Sequence, residues 1–145
     1  MLTALLIALP LTVSAPAHAG ASITVEDITV DGVTVKTMQC ELTQGGLMAG
    51  VSVVSALAGQ KSALDACAPA GGAYKVGWTW TDGETASVAV TEASAPDTAA
   101  CVNSALKAIN TGVTGTCTAL LLVGDAAGAE AASGALKPVD AAGAK

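Results

Sequence analysis

Residues 73–93 read AYKVGWTWTDGETASVAVTEA. Tyr74, Val76, Trp78 and Trp80 recur at every second position, as do Ala86, Val88 and Val90. That alternation is the period of a strand with one buried face. Thr81-Asp82-Gly83 between the two runs is turn chemistry, so the stretch is predicted to be an antiparallel hairpin. A two-residue Asp82-Gly83 loop would set the two apolar runs on opposite faces. A three-residue loop with Gly83 left-handed instead pairs Trp78 with Ala86, Val76 with Val88 and Tyr74 with Val90, and is therefore expected.

A hairpin with one apolar face needs a cover, and the flanking segments carry the helical period. Leu47, Met48, Val51, Val54, Leu57, Ala58, Leu64 and Cys67 recur largely at spacings of three, four and seven, the helical period, which predicts helix over 45–68. Gly50 and Gly59 each disfavour it by about 1 kcal/mol relative to Ala, which leaves a break near Gly59 open. On the other side, Ser94 is the expected N-cap of a helix over 95–110, with Pro96 in its first turn and Asp97 beside it. Cys101, Val102, Ala105, Leu106 and Ile109 form its stripe. A last strand is expected over 116–123.

Upstream, 22–39 alternates β-branched and polar residues around Asp31-Gly32, the composition of a two-residue type I′ turn. Ile23 and Val25 are out of phase with Ile28 and Val30, which predicts a bulge near Glu26-Asp27. Residues 125–145 are Ala, Gly and charge without period, and are expected to be a disordered tail. The fold class that follows is α+β: an αββαβ unit with a three-stranded antiparallel sheet under two helices, preceded by a small β-hairpin. It occupies 20–124 as one domain.

The 145 residues carry 12 acidic and 6 basic side chains, a net charge of −6. With no Arg and six scattered Lys there is no basic face for a phosphate backbone, so nucleic acid is not an expected partner. Leu2 to Val13 is apolar but shorter than the roughly 20 residues a spanning helix needs. It runs into Ala17-His18-Ala19, so residues 1–19 are read as a signal peptide cut after Ala19, although no Lys or Arg precedes the apolar run. The mature chain then has no membrane span, and it loses His18, the only histidine. A periplasmic or extracellular address is expected.

Cys67, Lys75-Val76-Gly77-Trp78-Thr79-Trp80, Asp82-Gly83, Ala100-Cys101-Val102 and the terminal strand, in that order, resemble the AgmX/PglI C-terminal domain family. That family is a TonB-C-like module of exported bacterial proteins. The resemblance spans roughly Leu47 to Val123 and implies a small α+β envelope module rather than an enzyme.

Four cysteines in a small exported domain predict two disulfides. Without a Cys-x-x-Cys they suit neither a zinc ribbon nor a redox site. If the first helix runs down, the hairpin up and down, the second helix up and the last strand down, Cys67 meets Cys101 at one end of the domain. Cys40 then meets Cys117 at the other.

Trp78 and Trp80 are candidates for a ligand platform, but a core role is favoured because they share a face with Val88. Asp82, Glu84, Glu26 and Asp27 are isolated carboxylates better read as solvated charges than as a cation site. Ser52, Ser55 and Ser104 have no histidine base, and Gly45-Gly46 lacks the Lys-Ser/Thr of a phosphate loop. No catalytic residue, metal ligand or cofactor is therefore expected. The expected role is a protein-binding or assembly module whose sheet edge pairs with another envelope protein or with itself. A small-ligand domain on the Trp78/Trp80 face and a hydrolase using carboxylates alone are the alternatives. Leu120 and Leu122 point away from Cys117, Ala119, Leu121 and Val123, so both faces of the last strand are apolar. The second face is expected to be covered by the N-terminal hairpin or a second chain.

Overall fold

A computed structural model describes residues 20–44 and 48–139. The signal-peptide reading of 1–19, Gly45-Gly46 and Leu47 lie outside those residues. The strands are β1 (Ala21–Val30), β2 (Val33–Gln44), β3 (Gly72–Thr81), β4 (Glu84–Ala93), β5 (Thr114–Val123) and β6 (Lys137–Pro138). The helices are α1 (Ala49–Ala58), α2 (Lys61–Cys67), α3 (Ala99–Leu106) and α4 (Ala126–Ala132). One sheet holds all six strands in the order β1-β2-β5-β3-β4-β6, every neighbour antiparallel.

The expected three-stranded sheet is thus the middle of a wider one. β4, β3 and β5 are neighbours in that order, but the N-terminal hairpin hydrogen-bonds to the edge of β5 through β2 instead of lying over a face. Its turn is the two-residue Asp31-Gly32 loop, with φ of 49° and 80°. The phase change near Glu26-Asp27 is real and has a counterpart on β2. The half-buried positions of β1 switch from Ile23 and Val25 to Ile28 and Val30, and the buried ones of β2 from Val33 and Val35 to Met38, Cys40 and Leu42. Asp27, at φ 48°, and Lys36 take up the extra residue on each strand, so the β1–β2 register is unbroken while β2 slips by one against β5.

The β3–β4 register departs from the expectation. Thr81 pairs with Glu84 across a two-residue Asp82-Gly83 loop, with φ of 52° and 86°. The apolar faces are reconciled by register shifts inside β4, which leave Ala86 and Thr91 without partners. Trp78 then opposes Val88, Val76 opposes Val90 and Tyr74 opposes Ala93. The primed turn matches strand twist, and one bulge restores the face at less cost than a looser loop.

The expected helix over 45–68 is two helices, broken at Gly59-Gln60. Val54, Leu57 and Leu64 of the expected stripe are buried, together with Ala49 and Val53 from outside it, whereas Met48 and Val51 of that stripe are exposed. The helix expected over 95–110 is a 3₁₀ turn at Pro96–Thr98 followed by α3, with Ile109 buried beyond its end. Ser94 is not its cap: Ser94 Oγ accepts from Ala73 N at 3.0 Å, tying the end of β4 to the start of β3.

The tail expected to be disordered carries α4 and β6. Asp125 caps α4 by accepting from Gly128 N at 2.9 Å. Gly71 leaves room for the helix, since a β-carbon there would collide with the backbone of Gly128 and Ala129. Ala129 packs on Ala73 and Leu122, so this segment, not the hairpin, covers the Leu122 end of the second apolar face of β5. An Ala-rich helix shows little periodicity because Ala suits both its exposed and its buried side, and that hid it from the sequence.

On the other face, α1, α2 and α3 cover one continuous core. Its rows run straight across the sheet: Ile23, Cys40, Cys117, Trp78 and Val88 in one, Val25, Met38, Ala119, Val76 and Val90 in the next. The disulfides join Cys40 to Cys117 and Cys67 to Cys101, with α-carbons 4.1 and 5.7 Å apart. These are the pairs named from the sequence, but Cys40 lies within β2 directly opposite Cys117, not at an end of the domain. The second bridge fastens the end of α2 to the first turn of α3.

Candidate functional site

The helix-covered face is closed. Trp78 and Trp80 are 2% and 1% exposed, and their rings stack at 5.7 Å and 13°. They are therefore core, and no aromatic platform faces solvent. Trp80 Nε1 donates to Thr85 Oγ1 at 3.1 Å, which donates to Ile109 O at 2.7 Å. Tyr74 ends in a similar relay: Thr98 Oγ1 gives its hydrogen to Ala95 O at 2.8 Å, so Tyr74 Oη donates to Thr98 Oγ1 at 2.5 Å. Burial raises the Tyr74 phenol above its ordinary 10.0, with the Thr98 bond opposing and Asp97 adding to the rise. Trp78 Nε1 and Asn103 Oδ1 are buried without a partner among the described residues.

The carboxylates and serines named from the sequence are dispersed. Asp27 lies 3.5 Å from Lys36, whose Nζ also donates to Glu130 of α4 at 3.0 Å. That bond to Glu130 is the largest reason the Lys36 ammonium titrates above its usual 10.5. Asp82 and Glu84 are exposed at the β3–β4 turn. Ser52 and Ser104 donate to carbonyls four residues back, Met48 O and Ala100 O, as helical serines do. Among the described residues no group of three metal-ligating side chains comes together.

Two surfaces remain available. The first is the edge of β1, the outermost strand on its side and ten residues long. Its inward side chains Ile23, Val25, Ile28 and Val30 are only half-buried against the core. Gly50 of α1 sits against Ile23 and Val25, and the exposed Met48 and Val51 belong to the same turn of that helix. The opposite edge differs, because β6 already pairs with β4 at Glu92 and Ala93.

The second surface was not foreseen from the sequence. It is a cleft of 380 Å³ on the outer face of the sheet, where α4 and β6 leave the middle strands uncovered. Thr37 and Gln39 of β2, Thr118 of β5, Lys75 of β3 and Glu92 of β4 line it, and Leu120 and Leu136 form its apolar part. Lys75 stands opposite both Leu120 and Glu92 in the sheet, and its Nζ is 3.2 Å from Glu92 Oε1. The alternation Thr118, Leu120 and Lys75, Gly77 carried this signal, but Leu136 comes from the segment expected to be disordered.

Comparison of the chain with protein-family models, curated proteins and solved structures gives no match. Among the described residues no helix is long and apolar enough to cross a membrane. Two disulfides fit an exported protein.

Proposed function

We propose that this protein is an exported, non-enzymatic module of the cell envelope that binds another protein by adding a strand to the edge of β1. The observation that supports it is the contrast between the two ends of the sheet: β6 occupies part of the β4 edge, while all ten residues of β1 lack an outer neighbour among the described residues. An added strand gains main-chain hydrogen bonds along Ala21–Glu26 and covers Ile23 and Val25, which the fold leaves half-exposed. Asp27, kinked to positive φ, limits the run to that half of the strand. The exposed Met48 and Val51 extend the apolar contact. The resemblance to the AgmX/PglI C-terminal domains agrees with such a role and with a periplasmic or extracellular address.

Ile23→Lys tests it, since an inward-pointing lysine beside an edge is a device that blocks strand addition. Mature protein retains a partner from envelope extract, a photo-crosslinking residue at Val25 captures the same partner, and Ile23→Lys abolishes both while the far-UV CD spectrum is unchanged. Retention of that partner by Ile23→Lys, or turnover in a generic hydrolase screen, defeats the proposal.

A further inference from the structure

Among the described strand glycines, Gly77 is the one that neither packing nor backbone geometry explains. It lies in the middle of β3, opposite Thr118 on one side and Ala89 on the other. Its φ is not positive, and a β-carbon built on it meets no atom within 4 Å. Glycine weakens a strand interior and often marks a bulge, a bend or a close approach to the backbone. The register is unbroken on both sides of Gly77, so it sits at no bulge, and we read it as a close approach. Gly77 and the exposed Ala89 form a shelf without bulky side chains beside the outer-face cleft.

The chemistry of the cleft narrows what approaches. Its volume of 380 Å³ falls within the range of small-molecule sites, about 300–1,000 Å³. Lys75 and Glu92 neutralise each other, so an anion has to win the ammonium from Glu92 and a cation has to win the carboxylate from Lys75. The chain's net charge of −6 opposes an anion further. Thr37, Gln39 and Thr118 each donate and accept hydrogen bonds, which suits hydroxyl groups of either sense. Leu120 and Leu136 supply an apolar wall for C–H groups. We propose that the outer-face cleft binds a neutral carbohydrate of one or two rings, with Gly77 bare so that the ring lies against β3. The site is independent of the β1 edge and of any partner bound there.

The test is titration of ¹⁵N-labelled mature protein with glucose, N-acetylglucosamine and its β-1,4-linked disaccharide, with octanoate as an anionic amphiphile of comparable reach. Saturable shifts of the Gly77, Thr118 and Lys75 amides are expected with at least one sugar at up to tens of millimolar, and not with octanoate. Gly77→Val fills the shelf with a residue that strands favour, so it keeps or raises the melting temperature and weakens sugar binding at least tenfold. Gln39→Leu, outside the shelf, also weakens it at least tenfold. The proposal is overturned if no sugar gives saturable shifts, if octanoate binds in their place, or if both variants bind as the wild type does. A Gly77→Val protein that unfolds like a core variant overturns the role given to Gly77, and Gln39→Leu then decides the site.

Discussion

Two adjacent rows of the same strands show how differently the two faces of this sheet are used. On the inner face, Ile23, Cys40, Cys117, Trp78 and Val88 lie side by side; in the adjacent row, one residue away on every strand, Thr24, Gln39, Thr118, Gly77 and Ala89 cross the outer face. The inner row holds a disulfide and a buried indole under three helices. The outer row is hydroxyls, an amide and bare backbone, and the small cluster of Ala73, Leu122 and Ala129 lies at one end of that face. The lesson is that a chain with two Trp and no Phe concentrates its stability on one face, which frees the other to stay polar and open.

The sharpest way to break this contrast is truncation on each side. Trp78→Ala is expected to cost about 3–5 kcal/mol in denaturant unfolding, while Thr118→Ala on the outer row stays within about 0.5 kcal/mol. Similar losses from the two would erase the distinction.

Next in size are the bridges. Replacing Cys67 and Cys101 together by Ser should lower stability by about 2–4 kcal/mol, mainly by freeing the unfolded chain. Cys101 is exposed, whereas Cys40 and Cys117 are buried beside Trp78. Under native conditions a thiol reductant should therefore open Cys67–Cys101 first, and peptide mapping of alkylated protein checks the order.

The outer cover is held more lightly. Asp125→Ala removes the cap of α4 and should cost about 1 kcal/mol, seen as faster amide exchange confined to α4 and β6. Exchange that quickens throughout the inner core would show that the two faces are not separable.

The smallest effect is alkaline. Because the folded phenol of Tyr74 is raised above 10.0, chiefly by burial, the unfolded chain ionises first. The stability tied to the neutral phenol is complete below about pH 10 and is lost as pH rises through the raised folded value. Tyr74→Phe should make the alkaline fall in stability shallower, and absorbance titration of the phenolate follows the same transition. An alkaline limb unchanged by Tyr74→Phe would place Tyr74 in a wetter setting than the inner face provides.

The period of two in Tyr74, Val76, Trp78 and Trp80, the two-residue Asp31-Gly32 turn and most of the stripe of α3 were legible in the sequence, because each is a local pattern; the stripe of α1 was only partly so, since Met48 and Val51 are exposed and Ala49 and Val53 are buried in their place. The phase change at Asp27 was legible too, since an odd spacing of apolar residues cannot share one face without an extra residue. The choice between a looser loop and a bulge at Ala86 was not legible, because both satisfy the same alternation and only the strand twist and the packing of Trp80 on Thr85 separate them. The joining of β2 to β5, which makes one six-stranded sheet, is a pairing between segments far apart in the chain, and no local pattern encodes it. The same holds for α4, whose small residues become a helix with a buried side only where Ala73 and Leu122 offer an apolar surface. The outer cleft exists because that segment crosses one end of the sheet and stops, so its residues come from strands β2, β5, β3 and β4 and from Leu136. Sequence by itself determined which residues want to be buried and which cysteines the chain has to offer; tertiary structure alone decided which strands are neighbours, because strand pairing is settled by the global competition for burial and main-chain hydrogen bonds.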